Sequence, residues 1–213
     1  MTDYEKLVRY FEDFPGIGSR QAKRFVDHLL VSKSAELEEL AGLITTIQTA
    51  VATCGSCFRF YSPPRGGGGA GRECSVCSDS GRDRAKLMVV ERDCDALAVE
   101  KAGEYRGLYF VLGGTVPLLN TPKVDSLRGG ALKALAGKRA LEGELSEVIL
   151  AFSINPDGEN TARYVVTLLK DLLDEKKLKV TTLGRGLSTG SELEYADPET
   201  IKSALGNRSR HDG

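Results

Sequence analysis

Apolar positions in the first fifty residues recur at helical spacing. Leu7, Val8, Tyr10, Phe11 and Phe14 form one stripe, and Ala22, Phe25, Val26 and Leu29 a second. Leu37, Leu40, Ile44, Ile47 and Val51 step by threes and fours and predict a third helix, with Ser34 available as its cap. Between residues 54 and 77 this pattern gives way to paired cysteines around a Pro/Gly-rich insert, Ser62 to Gly71. From about residue 85 short apolar runs alternate with amphipathic segments. Leu87 to Val90, Leu108 to Leu112, Val148 to Phe152 and Lys179 to Leu183 predict strands. Residues 93–102, Ser126 to Gly137 and a long segment marked by Ala162, Val165, Val166, Leu169 and Leu172 predict helices. Strands separated by helices imply a mostly parallel sheet covered on both faces. The tail, Gly184 to Leu205, starts Gly-rich and ends in a helix opened by Asp197-Pro198, and residues 206–213 are expected to fray.

The predicted class is therefore α/β and multidomain, with boundaries at 1–53, 54–84, 85–183 and 184–213. The 213 residues suffice for one large or two small domains plus a metal module. A balance of 41% hydrophobic and 28% charged residues is that of an ordinary globular protein. The net charge is only −1, so affinity for nucleic acid has to come from local basic clusters. No apolar run reaches membrane-spanning length, and Met1 to Arg9 lacks the apolar core of a signal peptide, which points to the cytoplasm and away from a membrane.

Cys54, Cys57, Cys74 and Cys77 read C-x2-C, sixteen residues, C-x2-C. In a reducing compartment such pairs hold metal more readily than they form disulfides. Two knuckles complete a tetrahedron of thiolates around zinc, and a closed shell leaves no position for a reacting water, so the expected role is structural. The alternative is four free or redox-active thiols. Cys94 stands alone in the sequence and reads as a small helix residue.

Phe14-Pro15-Gly16-Ile17-Gly18 lies between two apolar helices. Gly16 and Gly18 permit a tight turn whose N–H groups converge at the start of the next helix, where a phosphate can sit. Arg20, Lys23 and Arg24 add positive charge there, which favours DNA-backbone contact over an ordinary corner. Carboxylates at strand ends, Glu91, Asp157 and Glu159, are candidates for a weak metal or partner site. Asn155-Pro156-Asp157-Gly158-Glu159 is equally a helix start, with Asn as cap, Pro in the first position and acids facing the dipole. No G-x-x-x-x-G-K-[ST] loop is present, Gly184 to Gly190 lacks its lysine, and no nucleophile, histidine and acid can be assembled into a catalytic set.

The order of parts resembles the RecR family of bacterial recombination mediators. The motifs that carry the resemblance are Phe14 to Gly18, the four cysteines, Val89-Val90-Glu91 with Asp95 to Glu100, Tyr109 to Gly114, Gly158 to Ala162 and Gly186 to Asp197, so it spans about residues 5–208. The resemblance implies a helix-hairpin-helix over 1–53, a zinc finger over 54–84, a Toprim-like domain over 85–183 and an oligomerisation tail over 184–213. It also implies a DNA-binding, ring-forming homo-oligomer, a homotetramer or a dimer that closes into one. Such a clamp acts on gapped DNA and single/double-strand junctions with RecO and RecF, promotes RecA loading, and is nucleoid-associated when bound. Arg20 and Arg24 match the family's basic residues after the hairpin, Glu91 its first Toprim acid, and Asp157 and Glu159 its acidic pair.

Three departures stand out. The cysteine spacer is longer and more Gly-rich than is usual for the family. Leu119-Asn120-Thr121-Pro122 replaces the usual Gly-Ile-Gly-Pro run. The loop after the third strand is about two residues shorter than usual. Catalytic Toprim enzymes carry Asp-x-Asp where this chain reads Asn155-Pro156-Asp157. That loss disfavours the alternative of a magnesium-dependent enzyme that cleaves or joins nucleic acid, and the expectation is a protein without catalytic residues.

Overall fold

A computed structural model of the chain describes residues 1–63, 73–118, 126–175 and 178–184. Most of the Pro/Gly insert, the Leu119 to Pro122 stretch and the tail from Arg185, with the helix expected at Asp197-Pro198, lie outside the described residues. The chain divides into two compact units, Met1–Ala52 and Thr53–Gly213.

The first unit holds α1 (Asp3–Glu12), α2 (Ser19–Val31) and α3 (Ser34–Ala50). A capping box starts α1: Glu5 N–H donates to Thr2 Oγ1 at 3.2 Å, and Thr2 N–H donates to Glu5 Oε2 at 2.7 Å. The two predicted stripes meet in a small core of Val8, Ala22 and Val26, with Phe11 and Ile17 packed against it. Phe11 meets Phe14 and Phe25 edge-to-face at 5.8 and 5.6 Å.

The third helix departs from its expectation in two ways. Ser34 is its first helical residue rather than its cap. The extended residue before it, Lys33, takes that place without a side-chain bond, and Ser34 Oγ instead reaches Glu38 Oε1 at 3.5 Å. Its apolar stripe is also uncovered: Leu40, Leu43, Ile44 and Ile47 are 42–63% exposed.

The second unit is built on four strands, β3 (Asp83–Val90), β4 (Gly107–Val111), β5 (Glu147–Ala151) and β6 (Lys179–Thr182), in the order β4-β3-β5-β6. Every pairing is parallel, with Val89 opposite Phe110 on one side and Leu150 on the other. Leu87 to Val90 and all of β4 are buried, which explains their unbroken apolar runs. For this strand order, the right-handed crossover that parallel strands follow places α5 (Asp93–Ala102) on one face and α6 (Gly129–Leu141) and α7 (Pro156–Leu168) on the other. In keeping with this, α5 touches β3 and β4 while α6 touches α7.

The helix expected over 126–137 begins later, at Gly129. Arg128 N–H donates to the Leu112 carbonyl, which ties the entry of the helix to the end of β4. The expected long helix is two, because buried Leu169 leaves helical geometry (φ −97°, ψ 7°) and α8 (Lys170–Asp174) follows.

Candidate metal centre and nucleic-acid interface

Cys54 and Cys57 lie in the turn between β1 (Ala52–Thr53) and β2 (Phe60–Tyr61), and Cys74 and Cys77 at the start and in the body of α4 (Ser75–Ser78). In the first knuckle Phe58 N–H donates to the Cys54 carbonyl at 3.0 Å and Cys54 N–H to the Arg59 carbonyl at 2.8 Å. Phe58 closes this turn in the left-handed region, φ +61°, a conformation that a bulky residue adopts only when its surroundings enforce it. Cys74 N–H donates to Cys54 Sγ at 3.3 Å and joins the two knuckles.

All four cysteines are buried, and their sulfurs lie within 4.8 Å of one another. A tetrahedron with zinc–sulfur bonds near 2.3 Å requires sulfurs about 3.8 Å apart; Cys57 and Cys74 stand 3.6 Å apart. The donor set therefore fits a closed tetrathiolate and could hold a metal ion. Among the described residues it is the one group of three or more Cys, His, Asp or Glu ligands that converges this closely. The hydrogen bond shared with Cys57 pulls the Cys74 thiol down from its ordinary range, and the same bond pushes Cys57 up; Cys77 is raised by its own bond to Cys57. Without an ion the thiols share protons among themselves, and loss of those protons accompanies metal binding.

The first knuckle is fastened to the sheet. The Cys57 carbonyl accepts from Val111 N–H at 2.9 Å, on the edge strand β4. Phe58 stacks edge-to-face on Phe110 at 5.3 Å, and the Arg128 guanidinium lies 5.1 Å from the Phe58 ring centre. On the α5 face Arg59 Nε donates to Asp93 Oδ1 at 3.2 Å, and the same oxygen accepts from Phe60 N–H at 3.2 Å. Arg59 also lies over the Tyr109 ring at 5.5 Å. Arg59 and Asp93 are the residues that sequence reasoning missed. Their positions beside Cys57 and Glu91 were the available signal, but only the fold pairs residue 59 with residue 93.

The strand-end acids have separate surroundings. Glu91 is buried, and its Oε1 accepts from Ser153 N–H at 2.6 Å. Asp157 Oδ1 accepts from Leu118 N–H at 2.9 Å. Glu159 faces Arg163 on the next turn, 3.8 Å away. Around Asp157 the helix start is built as the Asn-Pro pattern predicts, with Gly158 N–H donating to Asn155 Oδ1 at 2.8 Å.

Thr161 Oγ1 accepts from Val116 N–H at 2.8 Å and donates to the Asp157 carbonyl at 2.6 Å, while the Asn160 amide reaches the Val116 carbonyl at 3.3 Å. Asp157, Asn160 and Thr161 thus clamp the segment leaving β4 onto α7. Gly158 sits where a Cβ would overlap the Ser153 carbonyl. Gly158→Ala is expected to cost about 1–3 kcal/mol by forcing that loop away, read as a lower urea midpoint with an unchanged slope.

In the first unit the hairpin turn has the geometry its glycines allow. Gly16 adopts φ +79°, and Gly18 is the N-cap of α2 with no side-chain cap. No acid stands in the first turn of α2, so no carboxylate offsets the positive end of its dipole. Arg20, Lys23 and Arg24 are exposed, and among the described residues none makes an ion pair. That arrangement suits a phosphate.

Residues 85–184 match the Toprim domain model and residues 186–209 the model of the RecR C-terminal region. The chain is 38% identical over 210 residues to the recombination protein RecR of Chlorobium phaeobacteroides, covering 98% of this chain and 97% of that one. It is 35% identical to the RecR of Syntrophobacter fumaroxidans, over 95% of this chain and 92% of that one. The RecR of Lactococcus lactis is also 35% identical, over 95% and 94% of the two chains. All three relatives are named as recombination proteins. With near-complete coverage at this identity, a Toprim domain in the sheet region and a buried four-cysteine cluster beside it, the chain belongs to the RecR family of recombination proteins.

Proposed function

We propose that the chain is a DNA-binding recombination mediator, a homo-oligomeric clamp or scaffold rather than an enzyme, that grips DNA through the α1–α2 hairpin. It acts at gaps and single/double-strand junctions with RecO and RecF and promotes RecA loading from the cytoplasm. The observation that carries the reading is the uncapped start of α2 behind Gly16 and Gly18, flanked by the unpaired cations Arg20, Lys23 and Arg24. The four cysteines hold zinc as a structural joint. The non-enzymatic reading is supported by Asn155 standing where Toprim enzymes carry an aspartate, and by the separate hydrogen bonds made by Glu91 and Asp157.

The test is DNA binding against salt. Phosphate-dominated binding weakens linearly on logarithmic axes, and each phosphate contact contributes about 0.9 to the slope. Arg20→Ala with Arg24→Ala is expected to reduce the slope by about 2 without a change in helix content. No binding by the wild type at low salt, alone or with RecO, would overturn the hairpin assignment. Magnesium-dependent nicking abolished by Glu91→Ala would overturn the non-enzymatic reading.

A further inference from the structure

Four thiolates around a divalent ion carry a net charge of about −2. Burying such a centre is costly unless cations stand close to it. Arg59 lies beside the first knuckle, but its Nε is committed to Asp93.

A second guanidinium has hydrogen-bonding capacity left over. Arg139 on α6 has a side chain only 9% exposed, and its Nε is the one buried side-chain nitrogen or oxygen without a hydrogen-bond partner among the described residues. Its Nη2 donates to the Arg84 carbonyl, and the half-exposed Glu144 forms a loose ion pair with it, Oε2 3.7 Å from Nε and too far for a hydrogen bond. Arg84 in turn points Nη2 at the Cys77 carbonyl, 3.4 Å away. Both arginines and Cys77 line one cavity of about 280 Å³ between the knuckles and α6, with Lys138 on its wall and Glu73, Glu142 and Glu144 around it. Burial lowers the pKa of the Arg139 guanidinium, the Glu144 carboxylate raises it and the neighbouring Arg84 cation lowers it further.

We propose that Arg139, assisted by Arg84, is the counter-charge to a dianionic metal–tetrathiolate centre, so that α6 sets how tightly the knuckles hold their ion. Arg139 is a positioning residue, acting through the sulfurs rather than on the metal. The inference rests on the metal reading of the four cysteines.

The test uses the full chain, with zinc stoichiometry by elemental analysis, affinity by competition with a chromophoric chelator, and cobalt(II) in place of zinc as a spectroscopic probe. Arg139→Met is expected to weaken zinc 10–100-fold, the range found for outer-shell partners of metal ligands. It should also move the sulfur-to-cobalt charge-transfer band to lower energy, because a lost cation no longer stabilises the sulfur electrons. Arg139→Lys should keep the band and most of the affinity. Glu144→Gln, at an exposed position, should bind at least as tightly as wild type.

Where Arg139→Met does not fold, Arg84→Met at its exposed position provides the readout, with affinity and band moving the same way. Wild type with one zinc per chain, and the folded arginine variant matching it in affinity and band, would overturn the counter-charge while leaving the metal site standing. Wild type with no zinc and four reactive thiols would remove the metal reading and the counter-charge together.

Discussion

On the proposal that the four cysteines hold zinc, stripping the metal with a strong chelator, or replacing Cys57 with serine, is expected to unfold the two knuckles and expose the β4 edge. Beyond the contacts that fasten the first knuckle to β4 and α5, the knuckles have little else to hold them. Among the described residues of this segment the buried ones are the four cysteines, Val76 and Arg59, and the cysteines and Val76 share the core of the sheet rather than forming one of their own. In small zinc modules the metal supplies about 10–16 kcal/mol of apparent binding free energy, most of which appears as folding free energy. Here the loss spreads beyond the module, because the Cys57 carbonyl is the acceptor for Val111 N–H and Phe58 is the edge-to-face partner of Phe110. Hydrogen exchange should therefore accelerate at Cys54, Phe58 and Val111, while Val89 and Val148 in the sheet interior stay protected. A freed β4 edge is also a template for pairing with another chain, so chelated protein should aggregate faster on warming. Unchanged exchange at Val111 after complete metal removal would show that the knuckle holds without an ion. The same treatment should leave the α1–α2 hairpin helices intact, since Val8, Ala22 and Val26 form a core of their own.

Local features were readable before any coordinates. A C-x2-C knuckle closes through bonds between near neighbours, such as Phe58 N–H to the Cys54 carbonyl, so its spacing alone points to its shape. Asn155-Pro156 likewise makes a helix start from adjacent residues. The runs in β3 and β4 are apolar throughout because both faces are covered, and that burial is written residue by residue.

What stayed hidden depends on partners distant in the chain. The α3 stripe has helical spacing, but spacing does not say whether anything covers it, and Ile44 is 63% exposed. Asp157 looks like a metal ligand or a helix-dipole acid in sequence. Its actual commitment, the Leu118 N–H, depends on how the segment leaving β4 crosses α7. Arg139 belongs to the same class: a helix arginine in a list of charges, yet a buried cation in the fold.

The pairing of Arg59 with Asp93 yields the second large expected effect. The two side chains are 8% and 15% exposed, so solvent screens their interaction little. Asp93→Ala leaves the Arg59 guanidinium buried without its anion and removes the acceptor for Phe60 N–H, and the expected loss is about 3–5 kcal/mol. A loss of that size consumes much of the total stability of an ordinary domain. Asp93→Asn retains an acceptor for both donors while losing the charge, and should cost less than Asp93→Ala. Arg59→Met with Asp93→Leu removes both charges and keeps apolar volume, and is expected to recover most of the stability, as replacement of buried pairs by apolar residues does elsewhere. Urea unfolding of the four proteins, wild type and the three variants, checks the order. If Asp93→Ala and the double variant lose stability equally, the contact acts through shape rather than charge. The sheet edge would then be held mainly by the Cys57–Val111 bond and the ring contacts of Phe58 with Phe110 and Arg128. With the order as expected, the charge of the buried pair is what joins the start of α5, just after Glu91, to the first knuckle.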